Sequence, residues 1–130
     1  MPDLFIHDDA NNDLELLWSQ DPQAAARIEV LLEELEGDDN LLDRLTQHNF
    51  GNRNHDPFNV SKWLAHWNKG RDIWRLKIWD LEKKGLKYRI IYAFIPRKNN
   101  HHILAIAPRD FNYDTNHPIS RRILLAYEDL

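Results

Sequence analysis

Ile73-Trp74-Arg75-Leu76-Lys77-Ile78-Trp79, Lys87-Tyr88-Arg89-Ile90-Ile91-Tyr92-Ala93-Phe94 and Ile103-Leu104-Ala105-Ile106-Ala107-Pro108-Arg109-Asp110-Phe111-Asn112-Tyr113 are three runs with the period of a β-strand. Side chains alternate between the two faces of a strand. Trp74, Leu76 and Ile78 therefore share a face, as do Tyr88, Ile90, Tyr92 and Phe94 on the second run and Leu104 and Ile106 on the third. Those faces predict the core side of an antiparallel sheet. The opposite faces carry Arg75 and Lys77, about 7 Å apart along one strand, then Arg89, and then Ala105, Ala107 and Arg109. Cations bordering a floor of small residues predict an anion site.

Outward from these strands the signals are helical. Leu4-Phe5-Ile6-His7 reads as a short strand, and Asp9 or Asn12 is placed to cap a helix holding Leu14, Leu17 and Trp18. Asp21-Pro22 supplies an N-cap followed by proline at the first helical position, and Ala24 to Leu35 are strong helix formers. Ile28, Leu31, Leu32 and Leu35 make one apolar stripe, Gly37 stops the helix, and Asp39 is expected to cap a third. Residues 47 to 59 have turn chemistry throughout, and Val60 to Trp67 reads as a short extended or irregular piece. Asp80 to Gly85 reads as a turn. His117-Pro118 opens a last helix with the stripe Ile119, Ile123, Ala126 and Leu130.

The fold class expected is α+β: one small domain over residues 1–130, an N-terminal strand and helices packed on an antiparallel sheet, and a C-terminal helix. A chain of 130 residues is long enough to bury a core unaided, and 42% hydrophobic with 29% charged residues is an ordinary globular balance. There is no cysteine, which excludes disulfides and thiolate metal sites and fits a reducing compartment. Apolar stretches fall far short of the roughly 20 residues of a membrane span, and the acidic N-terminus lacks a signal-peptide pattern. A cytoplasmic protein without membrane partners is the expectation.

The net charge of −4 conceals an asymmetry. Residues 1–50 carry 13 Asp or Glu against Arg27 and Arg44, whereas residues 51–130 carry 15 Lys or Arg against 8 acids. Screening limits the reach of each charge to about 10 Å, so the basic half can bind phosphates locally. His101 and His102 point to opposite faces of a strand, and His48, His55 and His66 lack ligand spacing, so neither metal nor cofactor is expected. His48 or His55 is an auxiliary acid or base candidate. Tyr88 and Tyr92 read as core residues, and Trp79 as the one tryptophan placed to stack on a base.

The order of elements, with Arg-x-Lys, Tyr-Arg-x-x-Tyr and Arg-x-x-x-Tyr on the three strands, resembles the RelE/ParE superfamily of bacterial toxins. The motifs fall within residues 70–114. The resemblance implies a type II toxin with a cognate antitoxin and, on the RelE branch, cleavage of mRNA in the ribosomal A site without a metal. Arg75 and Lys77 match the basic pair of the first long strand, Arg89 the arginine of the next, and Arg109 with Tyr113 the arginine and tyrosine ending the last. Attack of a ribose 2′-hydroxyl on the adjacent phosphorus needs a base, positive charge on the phosphate and an acid at the 5′-oxygen. Lys77 or Tyr113 is assigned to proton removal, Arg75 and Arg89 to the phosphate, Arg109 to the leaving group or to charge; Arg75, Lys77, Arg89 and Trp79 are assigned to RNA binding. The acidic net charge departs from the RelE branch, whose members are basic. A ParE-like inhibitor of DNA gyrase, or a toxin-fold binding module without activity, is the alternative.

Overall fold

The computed structural model describes residues 3–52 and 56–130, and His55 lies outside them. It contains a five-stranded mixed sheet in the order β1-β5-β4-β3-β2. The strands are β1 Asp3–Ile6, β2 Phe58–Lys62, β3 Ile73–Ile78, β4 Tyr88–Ile95 and β5 Asn100–Pro108. The helices are α1 Asp8–Gln20, α2 Pro22–Gly37, α3 Asp39–Asp43, α4 Leu64–Trp67, α5 Trp79–Lys83 and α6 Pro118–Glu128. The α+β class is the one expected. The N-terminal strand, however, joins the sheet: β1 runs parallel to β5, and the remaining pairs are antiparallel.

Local chemistry accounts for the helix ends. The Asp21 carboxylate accepts from the Ala24 amide at 3.2 Å, and Pro22 begins α2. The His117 ring accepts from the Ile119 amide at 3.1 Å in the same way. Two caps sit earlier than expected. His7, through Nδ1, accepts from Asp9 at 3.0 Å and opens α1, and Asp38 rather than Asp39 caps α3 by accepting from Leu41 at 3.2 Å. In each case the first residue able to accept while its own backbone is still extended takes the cap.

One face of the sheet is covered by α1, α2 and α3. Ile28, Leu31, Leu32 and Leu35 of α2 are buried there against Trp74, Leu76, Ile78, Ile90, Tyr92, Ile103 and Ile106. Tyr92 is fully buried and satisfies its hydroxyl by donating to the Leu45 carbonyl at 2.6 Å. The other face is covered by α6 and the segment before it, with Ile73, Ile91, Ala93, Leu104, Ala105, Ala107, Phe111, Ile123 and Ala126 buried together. Leu104 is thus on the opposite side from the one its spacing to Ile106 predicts. Ile91 pairs with Ala105 but Tyr92 pairs with Ile103, so Leu104 is the extra residue of a bulge and side-chain alternation resets across it.

Two further expectations change. The loop ends two residues early, since Phe58 and Asn59 already pair with Ile78 and Lys77, and the piece after it divides into β2 and the helical turn α4. The turn after β3 winds into α5. Among the described residues no helix is long and apolar enough to cross a membrane.

His101, 1% exposed and packed 4.8 Å from the ring of Phe94, carries a pH prediction. Burial lowers its pKa to about 4, below the 6.5 of an unperturbed imidazole. Above pH 6.5 the ring is neutral whether the chain is folded or not. As pH falls towards 4 the unfolded chain takes up a proton that the folded chain refuses, so stability is lost across that window, by about 3 kcal/mol at pH 4. Urea unfolding at stepped pH should show this loss, and His101→Leu should remove it; parallel profiles for the two proteins would exclude His101 as the cause.

Candidate functional site

Sheet register brings the basic residues to one end of the α6 side. Asn59 pairs with Lys77, Leu76 pairs with Ile90, and Arg89 pairs with Ala107, so Lys77 and Arg89 come side by side at the end where β3 stops and β4 starts. Arg75 lies two residues back along β3 on the same face. Arg109 follows the end of β5, its amide donating to the Lys87 carbonyl at 3.0 Å. Tyr113 completes the group from a turn in which Asn112 and Tyr113 both have left-handed backbone, φ 53° and 56°. A tyrosine there is strained by about 1 kcal/mol or more, and the turn brings its ring against Trp63 and Phe111, at 5.3 and 5.0 Å between centroids.

The alanine floor is not open. Ala105 and Ala107 are fully buried, in one apolar cluster with Phe111 and Ile123. Space remains instead past the end of the cluster, in a cleft of about 550 Å³ bordered by Lys87, Tyr88, Pro108, Arg109, Asp110 and Asn112, and of the five site residues only Arg109 lines it. Arg109 is exposed at its edge.

Each cation has a different environment. Arg75 donates to Asn59 Oδ1 at 2.8 Å, and burial lowers its pKa, with the neighbouring Arg89 adding to the effect. Lys77 is half-buried with its ammonium 4.6 Å from the centroid of the Trp79 ring, a cation–π contact. Burial holds the Lys77 pKa below its ordinary value, and Arg75, Arg89 and Arg109 push it the same way, against the opposing pull of Glu82. Tyr113 moves in the other direction: burial raises its phenol, and the three arginines only partly offset that.

Trp79, expected to offer a stacking face, is the first residue of α5. One side of its ring carries Lys77, and its indole N–H donates to the Gly51 carbonyl at 2.8 Å. Gly51 is confined to glycine, because its φ is 72° and a Cβ would lie 1.8 Å from the Phe58 carbonyl oxygen. The 49–51 turn is thereby held against β2, and Trp79 is held against the turn.

Two residues of the site, Glu82 and Asn59, lie outside the predicted set. Glu82 of α5 forms an ion pair with Arg89, whose Nη1 also donates to the Tyr88 carbonyl at 3.0 Å. Arg89 is 5% exposed, so this carboxylate occupies the guanidinium for which a phosphate is the expected partner. A helical turn across Trp79-Asp80-Leu81-Glu82 was the missing signal: it places Glu82 one turn from Trp79 and back over the sheet end. Asn59 was hidden in the predicted loop. Comparisons with protein-family models, curated proteins and solved structures gave no match. The chemistry therefore rests on these side chains.

Among the described residues, no group of three or more His, Cys, Asp or Glu is placed to hold a metal ion. His48 is committed elsewhere, its Nδ1 accepting from the Lys62 amide at 3.0 Å on the edge of β2. Four cations, a phenol and one carboxylate at a sheet end can hold a phosphodiester, and one of the four, Lys77, whose pKa is lowered, can accept a proton.

Proposed function

We propose that the chain is the toxin of a type II toxin-antitoxin system, a cytoplasmic endoribonuclease that cuts mRNA on the ribosome by attack of a 2′-hydroxyl on the adjacent phosphorus. The observation that carries this reading is the convergence of Arg75, Lys77, Arg89, Arg109 and Tyr113, drawn from β3, β4 and the segment after β5, at one end of one face. Their spacing also underlies the resemblance to RelE-type toxins.

Of the two candidates for the base, Lys77 is favoured by the direction of its pKa. Neighbouring cations and burial raise the neutral fraction of its amine, the form that takes a proton from the 2′-oxygen. Tyr113, whose phenol is pushed up, remains protonated and donates to a phosphate or leaving oxygen. Arg75 and Arg89 hold the non-bridging oxygens as negative charge grows in the pentacoordinate transition state, and Arg109, exposed at the cleft, meets the charge that develops on the leaving 5′-oxygen. Cyclisation leaves a 2′,3′-cyclic phosphate on one product and a 5′-hydroxyl on the other.

The Glu82–Arg89 pair favours a second reading, in which the fold binds a protein such as DNA gyrase and cuts nothing. Induced expression without an antitoxin separates the two. The nuclease reading expects growth arrest and primer-extension stops at codon positions of translated messages. Arrest with intact messages and damaged DNA would favour gyrase.

A further inference from the structure

Glu82 pairs with the guanidinium of Arg89 at the centre of the cationic group. Its side chain is 15% exposed, and its partner Arg89 is buried to within 6% of its side-chain surface. Lys77, Arg75 and Arg109 surround the same point closely enough to influence one another's charge. A buried guanidinium without a counter-charge is costly, so the unliganded chain requires an anion at this position. α5 supplies one: this five-residue helix joins β3 to β4, and it carries Glu82 on the turn after Trp79.

We propose that Glu82 is a resident counter-anion, an autoinhibitory contact that occupies Arg89 in the free chain and is displaced by an incoming nucleic-acid backbone. The idea rests on the anion-site reading of this cluster and adds to it a threshold for entry. A lone phosphate meets a guanidinium already paired, and gains only Lys77 and Arg109. A strand of several phosphates engages Arg109 and Lys87 along the cleft as well, and the added contacts offset the loss of the internal pair. Selection then falls on extended polyanions over small phosphate metabolites. The contact that would undo the resident pair is charge-assisted at both ends, so a phosphodiester replaces the carboxylate with equivalent hydrogen-bond acceptors.

A fluorescein-labelled 2′-deoxy hexanucleotide tests this by anisotropy, because it lacks the attacking hydroxyl and cannot be cut. Glu82→Gln should bind it at least about tenfold more tightly than the parent chain, since the competing charge is gone. Inorganic phosphate, near-inert towards the parent, should become an effective competitor. The double variant Glu82→Gln/Arg89→Gln should lose the gain. Equal or weaker binding by Glu82→Gln in a protein with unchanged circular dichroism would overturn the proposal and make Glu82 a buttress for Arg89. If Glu82→Gln is unfolded at the assay temperature, Glu82→Asp carries the same test, because the shorter side chain keeps the charge but withdraws it from Arg89; it should give an intermediate gain, and none would overturn the proposal. A parent chain that binds the deoxy strand but never cuts RNA would defeat the nuclease reading and leave the Glu82 comparison intact.

Discussion

Arg109→Ala should lower cleavage of a ribosome-bound message by about 100-fold, the usual cost of removing one donor aimed at charge that develops in a transition state. The residue suits the test because it is exposed at the cleft and makes no ion pair among the described residues. Stability should change by no more than about 0.5 kcal/mol, as for other surface substitutions. Arg89→Ala is a poorer probe, since it strands the Glu82 carboxylate and combines a folding defect with any loss of activity. A second readout follows from Lys77. Arg109 is one of the cations that depress its pKa, so the variant's pH–rate profile should shift to higher pH as well as fall. Unchanged cleavage would remove Arg109 from the site.

Asp13→Ala should cost about 3 kcal/mol, the largest loss of stability expected from a single residue outside the apolar cores. Its carboxylate accepts from Arg122 Nη1 at 2.9 Å and Nη2 at 2.7 Å, and from the Ile106 amide at 3.0 Å. The third bond explains why an acid is required there. β1 covers β5 only from Asn100 to Ile103, so the edge beyond it has no neighbouring strand, and Asp13 from α1 serves the Ile106 amide in its place. One side chain therefore ties α1, β5 and α6. Arg122 retains a long contact to Asp9, 3.9 Å, which limits the loss. Urea unfolding should give the cost directly, and Asp13→Leu/Arg122→Leu should recover much of it, because paired removal leaves no stranded charge. An alanine variant as stable as the parent would show that the clamp contributes nothing.

Residue pattern made some features legible and concealed others for physical reasons. Asp21-Pro22 and His117-Pro118 announce helix starts because a capping acceptor and a fixed proline φ act locally. The buried stripe of α2 is visible because one helix face meets one sheet. Arg75 and Lys77 could be placed on one face because β3 is regular, and Arg89 could be added because β4 is too. Leu104 could not be placed, since a bulge is decided by the partner strand's register, which spacing within β5 does not contain. The covered state of Ala105 and Ala107 depends on where α6 returns, a tertiary matter. Glu82 escaped notice for a related reason: its partner is seven residues away and is reached only once Trp79 to Lys83 winds into a helix. Phe58 and Asn59 were masked by turn-forming neighbours, although β3 recruits them as a strand.

On the proposed function, the cluster of Arg75, Lys77, Arg89, Arg109 and Tyr113 cuts RNA. The measurement that meets it most directly is primer extension on a defined message, incubated with the purified chain in the presence and absence of ribosomes programmed with that message. Expected are stops at codon positions under the ribosome, 2′,3′-cyclic phosphate ends on the upstream fragments, and loss of both with Arg109→Ala. An intact message in every lane, with a chain whose circular dichroism shows it folded, would contradict it.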